Sequence, residues 1–97
     1  MRYDLNCRYD SRQSFYGKAQ VEEKRTGDYY KAELYSYGTL VASVEYFYDN
    51  GDVVRTIYKY MGKYSQTTTR HQKEFFKQNG LSWEQIDELF KNGALEV

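Results

Sequence analysis

The dipeptide Asn50-Gly51 constrains this chain most. It lies between two runs rich in β-branched and aromatic residues, 40–49 and 52–60. Asn-Gly in that setting specifies a two-residue turn in which both residues take positive φ, and such a turn joins antiparallel strands. A register follows. Asp49 opposes Asp52, Tyr48 opposes Val53, Val44 opposes Ile57 and Ala42 opposes Lys59.

Upstream, Ser36-Tyr37-Gly38 reads as a three-residue loop with glycine in the left-handed position. That loop pairs Tyr35 with Thr39, Leu34 with Leu40, Ala32 with Ala42 and Tyr30 with Val44. The two registers agree. One face collects Tyr30, Ala32, Leu34, Leu40, Ala42, Val44, Tyr48, Val53 and Ile57, and is the expected core. The other collects Lys31, Glu33, Tyr35, Val41, Ser43, Glu45, Phe47, Val54, Tyr58 and Tyr60. A two-residue loop at Tyr37-Gly38 would mix Lys31 and Glu33 into the core, because a one-residue slip turns every side chain over.

Period-two alternation through Phe15, Ala19 and Val21 predicts a further strand, and Thr26-Gly27-Asp28 a turn after it. After Tyr60 the period changes. The hydroxyls of 64–69 can cap a helix over about 68–78, with Gln72, Phe75, Phe76 and Asn79 inward and Arg70, Lys73 and Lys77 outward. Asn79-Gly80 ends it. Ser82-Trp83-Glu84-Gln85 is a capping box for a second helix carrying Ile86, Leu89 and Phe90, which stops at Asn92-Gly93. The expected fold is α+β: a four-stranded antiparallel meander followed by two short C-terminal helices on one face. It forms one domain over 1–97, with a surface segment at 1–13, the sheet at 14–60 and the helical pair at 67–92.

Composition narrows the function. Fourteen basic and fourteen acidic residues balance. A DNA mimic would be strongly acidic, and a non-specific coat for nucleic acid strongly basic. Twelve tyrosines and no proline favour a sheet and an aromatic contact surface. Cys7 is the only cysteine, so no internal disulfide forms. The polar start Met1-Arg2-Tyr3-Asp4 resembles no targeting peptide, and no apolar run reaches the ~20 residues of a membrane span. The expectation is an intracellular protein without membrane contact.

Catalysis finds little support. His71 and Cys7 are far apart in sequence, and nothing marks the thiol as activated. One histidine without cysteine pairs or spaced carboxylates is no metal site. Asp49-Asn50-Gly51-Asp52 lacks the remaining ligands of a calcium loop and is explained as a turn. The expectation is a non-enzyme with no cofactor and no metal.

Two binding surfaces remain. The stretch 55–77 carries Arg55, Lys59, Lys63, Arg70, Lys73 and Lys77 against Glu74 alone, a net +5. Arg70, Lys73 and Lys77 share one helix face, and the hydroxyls of Thr67, Thr68 and Thr69 lie at the helix start, where free amides favour an anion. With Tyr64 nearby, this set could grip a phosphate backbone. The plain alternative is a solvated helix face whose threonines merely cap. The second surface is the outer sheet face, where Tyr35, Phe47, Tyr58 and Tyr60 interleave with charges as in a protein–protein contact. The plain alternative there is that Tyr3, Leu5 and Tyr9 fold over it. His71 either hydrogen-bonds back to Tyr64 or Ser65 or meets the partner directly.

The run Tyr64-Ser65-Gln66-Thr67-Thr68-Thr69-Arg70-His71 resembles a Tyr-Ser-x-Thr-Thr-x-Arg-His signature of small uncharacterised proteins from bacteriophages and plasmids of Gram-positive bacteria. The stretch 34–42 is similar to that family too, and the likeness covers about 28–78. The resemblance implies a mobile-element origin and a cytoplasmic site of action in a bacterial host. By analogy it implies an anti-CRISPR-type inhibitor that occludes a host protein such as a CRISPR effector nuclease. The alternatives are a nucleic-acid-binding accessory or regulatory protein using the basic helix, and a self-associating structural protein.

Overall fold

The structure, a computed structural model, describes residues 1–97. Its strands are β1 (Arg2–Asp4), β2 (Ala19–Thr26), β3 (Tyr29–Ser36), β4 (Thr39–Asp49), β5 (Asp52–Tyr60) and β6 (Ala94–Glu96). Its helices are α1 (Gln66–Gln78) and α2 (Trp83–Asn92). The strands form one antiparallel sheet in sequence order, and the α+β class is as the patterning predicts. There are six strands where four are expected, because a short strand is added at each edge. The chain re-enters the sheet after α2, where β6 pairs with β5.

Both hairpin turns are of the two-residue type. Asn50 and Gly51 have φ of 51° and 83°, and Asp49 opposes Asp52 as expected. Tyr37 and Gly38 have φ of 51° and 81°, so Ser36 opposes Thr39 and the three-residue loop is not formed. What rescues the core is a β-bulge. The register shifts between Leu34 and Tyr35, leaving Val41 as the extra residue, so Leu34 meets Ala42 and Ala32 meets Val44. Val41 joins the buried core, and Leu40 pairs with Tyr35 instead.

A second bulge follows the Asn50-Gly51 turn. Tyr48 opposes Val53, but Phe47 opposes Arg55, so Val54 is the extra residue. Everything beyond it is displaced by one position. Val44 meets Tyr58 and Ala42 meets Tyr60, while Ile57 pairs with Glu45. Tyr58 and Tyr60 therefore face the helices, and Ile57 takes the outer face. This reverses the sequence-based assignment of all three residues.

The helix-facing side of the sheet carries the small residues Ala19, Val21, Ala32, Ala42 and Val44, each almost wholly buried, beside Leu34 and Tyr58. The helices bring the bulk: Phe75 and Phe76 from α1, Ile86 and Leu89 from α2, and Leu81 between them. Small against large lets the layers approach closely, and each such side chain adds roughly 1.5–3 kcal/mol on burial. Leu5 and Phe15 complete the core from the N-terminal segment. That segment packs along α1 and not over the outer sheet face. Glu74 accepts from the amides of Tyr9 and Asp10, both at 2.8 Å, and Gln78 donates to the carbonyl of Asn6 at 2.6 Å.

Helix α1 starts at Gln66, with Ser65 Oγ accepting from the Thr68 amide at 3.1 Å. Its far end is held from the sheet. Tyr58 Oη donates to the Asn79 carbonyl at 2.6 Å, and Tyr46 Oη donates to Asn79 Oδ1 at 2.9 Å. These phenols satisfy carbonyl groups that a helix end leaves free. Helix α2 begins with the expected capping box of Ser82 and Gln85 and ends at Gly93 in the left-handed conformation. No helix is long and apolar enough to cross a membrane.

Tyr58 is thus structural in this fold. Tyr58→Phe is expected to cost about 1 kcal/mol of stability from the lost hydrogen bond, and Tyr58→Ala about 3–5 kcal/mol. Urea denaturation checks both values, and a neutral Tyr58→Ala would return the side chain to the surface.

Candidate nucleic-acid interface

The residues expected to bind a partner divide among four places. Tyr35 and Phe47 lie on the outer sheet face. Arg2 rests over the Tyr35 ring at 4.4 Å, and Phe47 lies between Tyr29 at 5.3 Å and Arg55 at 5.5 Å. Arg55 is itself held by Glu96 through bonds of 2.8 and 2.9 Å. Tyr29 donates to Glu45 at 2.5 Å, and burial with that carboxylate pushes its phenol up to about 12. The aromatic groups here already have partners. Tyr58 is withdrawn from this face altogether.

His71 is fully buried. Its Nδ1 lies 2.7 Å from Ser36 Oγ, which also meets Thr68 Oγ1 at 2.9 Å. Phe15 packs its ring edge-on at 4.5 Å. The imidazole therefore ties α1 to the end of β3 and not to Tyr64 or Ser65, and it cannot touch a partner. A serine beside a histidine suggests a nucleophile and base, but Thr68 and Phe15 seal the pair from solvent. Burial, with the guanidinium of Arg12 second, lowers the imidazole below its ordinary range.

The threonines at the start of α1 are mostly engaged too. Thr68 is buried on Ser36, and Thr69 Oγ1 donates to the Ser65 carbonyl at 3.0 Å. Thr67 is half-buried and Tyr64 exposed. Lys77 lies over two rings, Tyr9 at 5.6 Å and Trp83 at 5.1 Å, and both rings stay about half exposed.

Three of the expected residues do converge. Tyr60, Arg70 and Lys73 line an open cleft of about 440 Å³ between the first turns of α1, the loop before it, and α2. Lys63, Gln66, Thr69, Asp87 and Phe90 complete it. Helical spacing explains one wall. Gln66, Thr69, Arg70 and Lys73 are three and four residues apart, so they share one α1 face, opposite buried His71 and Phe75. The floor is aromatic: the Tyr60 and Phe90 rings stack with centroids 4.1 Å apart and 13° between planes. Burial raises the Tyr60 phenol above its ordinary value, so it stays neutral.

The electrostatics of the cleft are one-sided. Lys63, Arg70 and Lys73 face Asp87 as the only lining acid. Arg70 is shared with Asp10 of the N-terminal segment, at 3.3 Å, while 43% of its side chain stays exposed. Lys63 and Lys73 form no ion pair and are open to solvent. In the sequence, Lys63 stands out only as part of the basic stretch. Asp87 and Phe90 read as ordinary positions of an amphipathic helix, and only the packing of α2 on α1 places them here. No cluster of His, Cys, Asp or Glu able to hold a metal ion is formed.

A family model matches residues 3–91, which include every residue of the cleft and leave out β6. The chain belongs to that family, described as a family of unknown function (DUF8033). No curated protein and no solved structure matches it.

The buried imidazole generates a pH dependence. A base whose folded pKa is depressed binds its proton more readily in the unfolded chain. The stability it contributes is present above about pH 6.5 and is lost as pH falls through the lowered value. His71→Gln is expected to be less stable than the native protein at pH 7.5, with the gap narrowing at pH 5.5. Equilibrium unfolding at the two pH values checks this, and a gap that does not change contradicts it.

Proposed function

We propose that this protein is a non-catalytic binding protein that holds nucleic acid by its phosphate backbone, with the α1–α2 cleft as the contact. The observation that carries this reading is the convergence of Lys63, Arg70 and Lys73 on one open cleft in a chain whose overall charge is zero. Scattered surface charges would leave no such concentration. Cations grouped in a concave site raise the local potential and draw in phosphates. The sealing of the only histidine supports a role without catalysis.

A second reading is an inhibitor that occludes a surface of a host defence nuclease, in the manner of an anti-CRISPR protein. One observation favours it. Beyond β1 the N-terminal segment packs along α1, so the outer sheet face with half-buried Tyr35, Phe47 and Ile57 carries no helix, and only side chains such as Arg2 over Tyr35 lie on it. Its mixed charges suit a protein partner better than a polyanion. The lack of net charge also favours blocking a protein surface over imitating DNA. The two readings use opposite faces of the molecule, so they separate cleanly.

Fluorescence anisotropy with a labelled oligonucleotide tests the first reading. Neutralising about three phosphates gives a slope of log affinity against log salt of roughly −2.1 to −2.7. Affinity should then fall roughly twenty- to fortyfold between 50 and 200 mM salt. Lys63→Glu with Lys73→Glu should abolish binding while the thermal melt stays cooperative, since neither side chain has an ion-pair partner to lose. Binding that ignores both salt and this double variant would remove the cleft from the account.

A further inference from the structure

We infer that the nucleic acid taken by this cleft is single-stranded, with an unpaired base lying against the Tyr60–Phe90 floor while its flanking phosphates meet Lys63, Arg70 and Lys73. The inference rests on the reading of the cleft as a nucleic-acid site and specifies what form of nucleic acid it accepts.

Three features of the cleft carry it. First, cations alone would suffice for a phosphate backbone, yet the floor between them is two parallel rings at 4.1 Å. Each ring covers one face of the other, and both are only half-buried, so the remaining aromatic surface is left open in a charged site. A duplex offers phosphates and base edges but keeps its base faces stacked inside. Only an unpaired base presents a flat apolar face that could cover such a floor, and stacking of bases on aromatic side chains is how single strands are held without sequence readout.

Second, the size fits. A volume of about 440 Å³ exceeds what one phosphate group fills and falls within the roughly 300–1,000 Å³ typical of sites for small organic molecules. A nucleotide unit is of that class, whereas a double helix would have to rest across the rim without entering. Third, the polar groups differ in kind along the lining. Lys63, Arg70 and Lys73 are donors for phosphate oxygens. Gln66 and Asp87 provide acceptors, and a carboxylate among phosphates would be repulsive. Asp87 instead suits the N–H groups of a base or a sugar hydroxyl. The cleft thus offers aromatic surface, cations and acceptors to a ligand with a flat ring, negative charge and hydrogen-bond donors.

The test compares three fluorescein-labelled probes on the full-length protein: an eight-residue oligothymidylate, an abasic strand of the same length and charge, and an eight-base-pair duplex. The oligothymidylate is expected to bind roughly 5- to 150-fold more tightly than the abasic strand, the range for stacking one base at about 1–3 kcal/mol. The duplex should gain no such advantage. Phe90→Leu keeps an apolar side chain against Phe76 but removes one π face, and should narrow the gap in affinity between the thymidylate and abasic strands. Tyr60→Leu provides the same readout from the other ring if Phe90→Leu lowers the melting temperature.

Equal binding of thymidylate and abasic strands by the native protein, still lost in Lys63→Glu with Lys73→Glu, would overturn the inference while leaving a backbone-binding cleft. A preference for thymidylate that survives both leucine variants undiminished would also overturn it, by placing the base elsewhere. Failure of all three probes to bind would overturn the cleft reading itself.

Discussion

The buried polar face of α1 holds this structure together. His71, Gln72 and Glu74 are each at most 1% exposed, and each reaches a different part of the chain. His71 meets Ser36 at the end of β3. The Gln72 amide donates to the carbonyls of Val41 and Gly62, at 3.0 and 3.1 Å, and so clasps both the bulge of β4 and the loop leading into the helix. Glu74 fixes the N-terminal segment through two backbone amides. Buried polar groups that lose such partners cost about 1–3 kcal/mol each, and more when charged, so these bonds set one orientation of the helix among many that hydrophobic contact would allow.

That orientation divides the molecule into two unlike surfaces. With His71, Gln72 and Glu74 inward, Gln66, Thr69, Arg70 and Lys73 must point outward over the Tyr60–Phe90 stack. The polar anchors thus aim the cationic wall of the cleft without lining it. The same arrangement draws the N-terminal segment to the helix side through Glu74, with Asp10 reaching Arg70. The outer sheet face carries no helix as a result. Two of its cations are matched within the face, Arg55 by Glu96 and Lys31 by Glu33, whereas Lys63 and Lys73 of the cleft are unpaired.

The local features of the fold were legible in the residues, and the long-range register was not. Asn50-Gly51, the capping box at Ser82 and Gln85, and the apolar spacing of Phe75 and Phe76 act over a few positions and appear where expected. The bulges at Val41 and Val54 carry no comparable signal: at Val41 the Gln72 amide reaches the carbonyl from another layer, and Val54 is an exposed residue like its neighbours. A single unannounced residue inverts all alternation beyond it, which is why Tyr58, Tyr60 and Ile57 exchanged faces. Strand β6 was hidden for a related reason, since three residues pair only because α2 returns them to β5. In the site, Arg70 and Lys73 were readable from charge and spacing. Phe90 and Asp87 could not be told from any other amphipathic helix positions until α2 was packed beside α1.

Chemical-shift mapping of backbone amides during titration with a short single-stranded oligonucleotide tests the central claim most directly. The shifts should concentrate at 63–73 on α1 and its loop and at 87–91 on α2, with the outer-face strands near Tyr35 and Phe47 unchanged. Shifts confined to those strands, with the cleft silent, would contradict the account and move the binding surface to the opposite side of the sheet.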